Sequence, residues 1–399
     1  MADTKAVAGR VRPHNFILVF LAAGMPGMGC SFSWSPSFDE DVTPSELQTV
    51  AITSPHDALT FARYEEKGDT RLMLVTAYAG NMISGVPVHA HLGGSVNDPI
   101  SLYRQYGYAS IEAIAQTGEP LVRIPLNRLI LPVNLRRHNI AAGTNYAAHA
   151  NEAGVEDGPY LFPKIVAPTP WNADVNVNTR LLDYEVELAF VTLDAVEAGA
   201  MPESMGLIIC NDYTDRETLL KNIDVDNVAS GDGFTTGKSF PGYLPVGNLF
   251  VIPRDFRSFA AEIELRLYVN FELRQKEHVS SAIWDIDEIF RQIWIRQDTT
   301  WEHRGETVSL FGNDNAIIED RVMILSGTPY GVVFNEVTGE QKATGFFDWA
   351  FSDWGGSISD HSIEDYITDA RAAGIYLLTG DLVDIHVNHM GAVRNKVVE

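Results

Sequence analysis

Residues 181–190, LLDYEVELAF, set two glutamates one residue apart inside an apolar run. Side chains alternate between the two faces of a strand, so Glu185 and Glu187 are predicted to share one face. Tyr184 and Val186 then point to the opposite face, where a core is expected. Like charges that lie close together are unfavourable. The carboxylate face therefore either meets water or faces a positively charged group.

A third carboxylate follows another apolar stretch. The segment GLIICND, residues 206–212, ends on Asp212, at a position from which a side chain can reach into a site. Together with Glu185 and Glu187 it makes a set of three carboxylates. Hard octahedral ions such as Mg²⁺ and Mn²⁺ favour these ligands. The sequence contains no Cys/His cluster that would favour a softer metal.

A histidine and a glutamate lie three residues apart in GTNYAAHANEAG, residues 143–154. In a helix, His149 and Glu152 would lie on one face. A carboxylate at that distance can orient an imidazole and raise its basicity, which suits a general base. Taken alone, the spacing also fits an ordinary pair of polar surface residues.

Strands must position most of these groups, because the second half of the chain is rich in short apolar runs. One amphipathic helix is predicted in IWDIDEIFRQIWI, residues 283–295. The candidate strands are 182–190, 205–211, 246–252, 261–275, 321–326 and 382–388. Few helices separate them, so the fold class is predicted to be α+β and β-rich.

The chain length of 399 residues and 44.0 kDa predicts two domains. Residues 1–55 are interpreted as a signal-like segment and linker. Residues 56–127 are predicted to form a small N-terminal domain, with a hairpin turning at 67–69 and a helix in 98–118. Residues 128–399 form the larger, strand-rich unit.

The N-terminus has the pattern of an export signal. Lys5, Arg10 and Arg12 precede the apolar stretch FILVFLAAGM, and small residues follow up to Cys30. This favours export to the periplasm, or a lipoprotein tethered to a membrane through a lipidated Cys30. The alternative is a hydrophobic N-terminal strand in a cytoplasmic protein.

The net charge is −24 and the isoelectric point is near 4.7. Nucleic-acid binding needs clustered Lys and Arg to neutralise phosphates. This composition therefore excludes a nucleic-acid partner.

Six motifs, read in order, resemble the fumarylacetoacetate hydrolase family. They are GTNYAAHANE, DYEVELAF, NDYTDRE, GKSFPGYLPVG, GTPYGV and TGDLVDIHVNHMGAVRNKV, and they extend from about residue 130 to 397. The resemblance implies a catalytic domain of the mixed β-sandwich and β-roll type, preceded by a small α+β domain. It also implies a homodimer and a small 2-oxo acid as the substrate.

The resemblance implies a role for each matching residue. It assigns Glu185, Glu187 and Asp212 to a Mg²⁺ ion, with Mn²⁺ or Ca²⁺ as alternatives. His149 and Glu152 become the catalytic dyad. The other implied residues are the catalytic cation Lys238 and the substrate-binding Tyr146, Gly327, Thr328 and Pro329.

The activity implied is metal-dependent hydrolysis of a C–C bond in an acylpyruvate or a related β-diketo acid. Three alternatives stay open: an oxaloacetate-type decarboxylase, a 2-oxo-enoate hydratase or isomerase, and a non-catalytic exported binding protein with the same fold.

The sequence departs from the family pattern at several places. Gly237 precedes the lysine where the family usually has alanine. Two apparent insertions occupy about 298–318 and 335–375, and the second contains the aromatic run GFFDWAFSDWGG. The aromatic run is interpreted either as core or interface packing or as an apolar cap over the substrate.

Overall fold

A computed structural model describes residues 42–43, 45–92, 96–153, 158–224, 227–336 and 359–399. The proposed export segment with Cys30, and most of the aromatic insertion, lie outside these residues. The strands are β1 (Thr49–Val50), β2 (Ala58–Glu66), β3 (Asp69–Ala79), β4 (Met82–Pro87), β5 (Val122–Pro125), β6 (His138–Gly143), β7 (Tyr160–Ile165), β8 (Val175–Asn176), β9 (Leu182–Asp183), β10 (Val186–Thr192), β11 (Met205–Asn211), β12 (Thr214–Asp215), β13 (Phe250–Pro253), β14 (Glu264–Val269), β15 (Glu272–His278), β16 (Thr300–His303), β17 (Glu306–Ser309), β18 (Met323–Leu325), β19 (Leu382–Val387) and β20 (Gly391–Val398).

The helices are short apart from α2, α7 and α9. They are α1 (His89–Leu92), α2 (Pro99–Thr117), α3 (Ala147–Ala153), α4 (Arg216–Leu220), α5 (Phe234–Lys238), α6 (Phe256–Ala261), α7 (Ile286–Ile295), α8 (Val333–Glu336) and α9 (Ser359–Ala373). Helix α2 begins where Asp98 accepts a hydrogen bond from the Ser101 amide, and it ends at the left-handed Gly118. Within the residues that the structure describes, no helix is both long and apolar enough to cross a membrane.

An eleven-stranded sheet forms the larger layer, in the order β5-β4-β3-β2-β13-β11-β10-β18-β6-β7, with β1 paired to β3. Strands β10 and β11 lie near its middle, and every residue of both is buried. The two strands are antiparallel, with Val186 opposite Asn211. This register brings the start of β10 beside the end of β11.

The predicted small domain contributes β2 to β5 to the same sheet. Strand β2 pairs with β13 of the larger unit, Phe61 lying opposite Phe250. The sheet is therefore continuous across residue 127. The domain boundary proposed there stays a prediction.

A five-stranded sheet, ordered β15-β14-β19-β20-β8, packs on the larger one. The core between them contains Val186 and Leu188 from β10, Leu267 from β14, and Ile385 from β19. The strand-rich α+β architecture predicted from the sequence is confirmed. Val186 and Leu188 occupy the core face, as the alternation in LLDYEVELAF predicts.

Most predicted elements are present, and three need correction. The strand predicted at 182–190 is interrupted at Tyr184 and Glu185, because Leu182–Asp183 (β9) pairs with β12 whereas β10 begins at Val186 and pairs with β11. Residues 261–275 are not one strand but the hairpin β14–β15, which turns at Asn270 and Phe271 with φ of 51° and 72°. The strand predicted from 246 begins at Phe250. Before it, the amides of Val246 and Asn248 bond to the carbonyls of Thr169 and Ala392, outside the β13 pairing.

Candidate metal centre and catalytic pocket

The structure brings the three predicted carboxylates together. Oxygen atoms of Glu185, Glu187 and Asp212 all lie within 4.8 Å of one another. The side chains are buried, with exposed fractions of 5%, 1% and 0%. Their proximity follows from the β10–β11 register, since the Asp212 amide donates to the Glu185 carbonyl at 2.8 Å. The face that carries the carboxylates is therefore not solvated, and positive groups lie against it.

Three cations contact the carboxylates. The Lys238 ammonium lies 2.7 Å from Glu185 Oε2 and 3.0 Å from Asp212 Oδ2. Lys164, on β7, forms an ion pair with Asp212 Oδ1. Arg216 Nη2 lies 2.8 Å from Glu185 Oε1.

The acids in this group outnumber the three cations. Arg216 Nε also pairs with Asp183 at 2.8 Å, so Asp183 belongs to the group as well. We call these residues the carboxylate cluster: the acids Asp183, Glu185, Glu187 and Asp212 with the cations Lys164, Arg216 and Lys238. If all were ionised, four acids and three cations would leave one buried negative charge, which is unfavourable in a low-dielectric interior.

The neighbouring acids affect the pKa of Glu187. Burial, and then the neighbouring Asp212 and Glu185, raise the pKa of Glu187 well above its ordinary value. Without a further cation, Glu187 therefore retains a proton. Three converging carboxylates, one of which ionises only when a further positive charge is present, fit a hard divalent cation by charge and by donor chemistry.

Glu185 behaves in the opposite way. Burial alone would raise its pKa, but Lys238 and then Arg216 overcome that effect and lower the pKa of Glu185 to about 2. Glu185 is therefore ionised at neutral pH. The two glutamates of the alternating pair differ because the cations contact only one of them.

His149, on α3, lines the same pocket as the three carboxylates. Burial is the main reason that the pKa of His149 is lowered to about 4; Arg216 and Lys238 act in the same direction and Glu185 opposes them. The imidazole is therefore neutral at neutral pH, as a general base must be. Glu152 lies on α3 three residues later, but its side chain is outside the described part, so the dyad stays a prediction.

The predicted glycine-threonine-proline turn closes one side of the site. The Gly327 amide donates to Glu187 Oε2 at 2.8 Å, and the Thr328 hydroxyl donates to the Val186 carbonyl at 3.0 Å. Gly327 has a φ of +89°, and a Cβ there would lie 2.8 Å from the Cβ of Asn145. Only glycine therefore fits at this position.

The other residues predicted to bind substrate differ in whether they line the pocket. Thr328 lines the pocket. The Pro329 carbonyl accepts a hydrogen bond from buried Gln275 at 2.8 Å, so its described polar contact is structural. Tyr146 is 2% exposed and is not among the residues that line the pocket.

Three residues of the site are not identified by the sequence analysis. They are Lys164, Arg216 and Gln275. Lys164 is fully buried and also donates to the Tyr243 carbonyl at 3.0 Å. In the sequence, a single lysine inside the apolar run YLFPKIV indicates that its side chain is buried. Arg216 lies in the quoted motif NDYTDRE. Gln275 is connected to the site only through the tertiary structure, by bonds to the Val186 amide and to Thr328.

The departure at Gly237 has a packing cause. A Cβ at residue 237 would lie 2.8 Å from the Cβ of Leu219 and 3.0 Å from its Cα. Helices α4 and α5 therefore approach closely because residue 237 is glycine. The close approach places Arg216 and Lys238, one on each helix, against Glu185.

The pocket has an apolar wall in addition to the carboxylate cluster. Phe234 packs against Tyr160 and Phe162, with ring centroids 5.0 and 5.4 Å apart. The apolar residues of this wall are Phe162, Leu219, Leu220, Ile223, Val228, Phe234 and Phe334. Among the described lining residues, every Asp, Glu, Lys and Arg belongs to the carboxylate cluster.

Comparison with known proteins gives the same family as the sequence motifs. The family model of the fumarylacetoacetate (FAA) hydrolase C-terminal domain matches residues 138–304. An uncharacterized protein of Staphylococcus aureus (strain USA300) is 29% identical over 213 residues, which are 50% of this chain and 60% of the relative. The chain therefore spans only part of the length of this curated relative.

Solved structures share the fold. A fumarylacetoacetate hydrolase from Exiguobacterium antarcticum is similar with a TM-score of 0.55 and 22% identity, over 85% of this chain and 99% of that chain. A maleylpyruvate hydrolase from Sphingobium sp. SYK-6 gives a TM-score of 0.51 at 20% identity, with coverage of 85% and 99%. The predicted resemblance is confirmed.

Proposed function

We propose that this protein of the fumarylacetoacetate hydrolase family is a divalent-metal-dependent hydrolase that cleaves a C–C bond of an acylpyruvate. One observation carries the proposal. Three converging, buried carboxylates, of which Glu187 is held protonated when no further cation is present, line one pocket with a neutral imidazole and a buried lysine. The fold alone supports less, since it is shared by hydrolases and isomerases.

Glu185, Glu187 and Asp212 would hold the metal, with Mg²⁺ as the first candidate and Mn²⁺ or Ca²⁺ as alternatives. When bound, the ion supplies Lewis-acid polarisation of the oxygens of a 2-oxo acid. Arg216 and Lys238 hold Glu185 in its ionised form, so this ligand is ready at neutral pH. Gly327 fixes one oxygen of Glu187 through its amide.

His149 acts as the general base in the proposed reaction. It takes a proton from water, and the resulting hydroxide adds to the distal carbonyl carbon of the acylpyruvate. Glu152 is proposed to orient the imidazole. The C–C bond then breaks and the distal acyl group leaves as a carboxylic acid. The electron pair of the broken bond passes to the pyruvoyl fragment and forms the enolate of pyruvate. Lys238 stabilises the negative charge of this enolate before a proton returns to its methylene carbon.

The apolar wall supports an uncharged distal group. Phe162, Ile223 and Phe234 offer hydrocarbon surface to whatever lies beyond the pyruvoyl end. A carboxylate placed against them would lose its hydration without gaining a counter-ion from the described residues of that wall. We therefore propose acylpyruvates with an alkyl or aryl acyl group as the preferred substrates.

A screen of acylpyruvates tests the proposed function. The protein is freed of metal with EDTA, and cleavage is followed before and after Mg²⁺, Mn²⁺ or Ca²⁺ is restored, with oxaloacetate and a 2-oxo-enoate as parallel substrates. We expect metal-dependent release of pyruvate from the acylpyruvates. Faster turnover of oxaloacetate or of the enoate would assign a decarboxylase or an isomerase, and inactivity on all of them would favour a binding protein.

The proposed homodimer and the proposed export each need a separate measurement. Sedimentation of the purified protein measures the first. Mass spectrometry of the mature N-terminus from the native host measures the second. A lipidated Cys30 would give a processed and acylated N-terminus, and a cytoplasmic protein would retain its first thirty residues.

A further inference from the structure

A hairpin outside the two large sheets packs behind the catalytic pocket. The first apparent insertion of the sequence, about 298–318, contains strands β16 and β17, which form a two-stranded sheet of their own. Arg304 and Gly305 join the strands, and their φ values of 54° and 82° are those of a tight two-residue turn. A two-stranded hairpin is at best marginally stable by itself. Packing against the rest of the chain therefore holds it in place.

The hairpin packs on a segment of chain that supplies part of the pocket. Residues 228–240, here called the pocket segment, carry Val228 and Phe234 of the apolar wall and the proposed catalytic cation Lys238. The segment contains a 3₁₀ helix of three residues and helix α5 of five residues. Helices this short are not stable without tertiary contacts. The positions of the wall residues and of the lysine therefore depend on what packs against the segment.

Strand β16 contacts the pocket segment with one of its faces. Burial alternates along the strand, so Trp301 and His303 share the buried face, with 2% and 7% exposure. The Trp301 indole N–H donates to the Ser230 carbonyl at 2.8 Å. His303 Nδ1 lies 3.3 Å from the Thr236 hydroxyl oxygen, within hydrogen-bond distance. The two contacts lie on either side of Phe234 in the sequence.

The Trp301 contact lies directly before the apolar wall. Gly231 has a φ of +79°, and a Cβ there would lie 2.8 Å from the Leu161 carbonyl oxygen and 3.0 Å from Trp301 Nε1. The chain at Gly231 is therefore in close contact with both β7 and the indole. Phe234 follows three residues later, and its amide donates to the Gly231 carbonyl at 3.4 Å. The indole thus fixes the chain from which Phe234 enters the wall.

The other contacts of the hairpin lie around Lys238. Thr236, which His303 contacts, lies in α5 two residues before the lysine. Arg304, in the hairpin turn, donates through Nη2 to the Ser239 carbonyl at 3.3 Å. The hairpin therefore contacts the pocket segment both before and directly after Lys238.

We propose that the β16–β17 hairpin is a positioning element of the catalytic pocket, an inference that rests on the proposed function. Trp301 positions the apolar wall, which meets the distal group of the substrate. His303 positions Lys238 through Thr236, and Lys238 stabilises the enolate. Loss of the Trp301 contact should therefore alter the discrimination between distal groups. Loss of the His303 contact should lower kcat whatever the distal group is.

Trp301→Phe tests the position of the wall, since it keeps an aromatic ring and removes the N–H that bonds to Ser230. The probes are acetylpyruvate, with a short distal group, and hexanoylpyruvate, with a chain long enough to lie against the wall. We expect kcat/KM for hexanoylpyruvate to fall by about tenfold relative to acetylpyruvate, the order of one altered pocket contact. A general loss of stability would lower both values equally, so the ratio reports the position of the wall.

The matched control is Trp294→Phe. Its indole N–H donates to the carbonyl of Ala200, which is not among the residues that line the pocket. This variant loses the same kind of hydrogen bond and should keep the wild-type ratio of the two substrates.

His303→Phe tests the position of the cation, since it keeps a ring and removes the nitrogen that faces Thr236. We expect kcat to fall by about tenfold or more on both acylpyruvates, because a small displacement of a catalytic group is costly. Thr236→Val removes the other partner and should have the same effect. His303→Asn, which returns an amide close to the place of Nδ1, should restore most of kcat. Circular dichroism and urea unfolding show that each variant is folded.

Hydrogen exchange separates a failure of this proposal from a failure of the proposed function. Peptides covering 228–240 should exchange at least about tenfold faster in Trp301→Phe and His303→Phe than in wild type, because the segment opens more often. Peptides from β10 should exchange as in wild type. If wild-type protein cleaves no acylpyruvate, the proposed function fails, and exchange still decides whether the hairpin holds the pocket segment. Wild-type exchange in this segment, a wild-type substrate ratio in Trp301→Phe, or a wild-type kcat in His303→Phe would overturn the proposal.

Discussion

The carboxylate cluster and the ion pair between Asp384 and Arg394 differ in how their charges are compensated. In the carboxylate cluster four acids meet three cations, so full ionisation would leave one buried negative charge. Without a further cation, the raised pKa of Glu187 lets this residue keep a proton instead. Asp384 on β19 is already matched by Arg394 on β20, whose side chain is 41% exposed. The number of acids relative to cations, more than the presence of charged residues, therefore indicates which region would take up a cation.

The largest expected effect is the loss of turnover when the imidazole beside the carboxylate cluster is removed. His149→Ala should lower kcat by on the order of 10²–10⁴, because general-base catalysis supplies about that factor. Metal binding should survive, since the three carboxylates are intact. His278→Ala, which removes a half-exposed histidine on β15, is the control. Near-normal hydrolysis by His149→Ala would show that the base lies elsewhere.

Stability measures how strongly burial affects the compensation of charge. Lys164→Met should lower the free energy of unfolding by about 3–5 kcal/mol, because it leaves Asp212 buried without that partner. Arg257→Met should cost less than about 1 kcal/mol, since Arg257 and its partner Asp287 are 41% and 37% exposed and water can solvate both. Urea unfolding compares the two variants. Equal losses would show that the carboxylate cluster does not depend on its buried cation.

Substrate preference tests the apolar wall beside the carboxylate cluster. Ile223→Arg should shift kcat/KM by about tenfold or more toward acylpyruvates with a distal carboxylate, because the new cation compensates that charge. Ile223→Met conserves the apolar character and should keep the original preference. If wild-type protein already prefers the distal carboxylate, the wall does not contact the substrate as proposed.

The pH dependence should show the smallest effect. The pKa of His149 is lowered to about 4, so the base becomes protonated and inactive only as the pH falls through that region. From about pH 7 down to about pH 5, kcat should therefore change little, whereas an ordinary histidine with a pKa of about 6.5 would become protonated across this range. Steady-state rates across this interval measure it. A steep decline centred near pH 6.5 would mean that His149 is solvated in the working enzyme.

The three carboxylates could be predicted because each lies in or directly after a short stretch with a recognisable strand pattern. Alternation in LLDYEVELAF places Glu187 opposite the core face, and Asp212 follows an apolar strand. The β10–β11 pairing then adds what spacing cannot give, namely that the two strand ends meet. The hairpin at Asn270 was missed because its turn residues adopt left-handed φ without glycine.

Groups that reach the site from distant elements were harder to predict. Lys164 belongs to β7, and Gln275 comes from β15 of the other sheet. Neither lies in a spaced pattern with the carboxylates. Their burial beside the three carboxylates follows from sheet packing, which a single sequence does not specify residue by residue.

Calorimetric titration of the EDTA-treated protein with Mg²⁺ tests the central claim most directly. Wild-type protein and Glu272→Gln, which alters an exposed glutamate, should bind one ion per chain with similar affinity. Glu187→Gln, with an unchanged circular dichroism spectrum, should bind at least about 10–100-fold more weakly, since it removes a direct ligand. Equal Mg²⁺ affinity in Glu187→Gln and wild type would contradict the assignment of the carboxylate cluster as a metal centre.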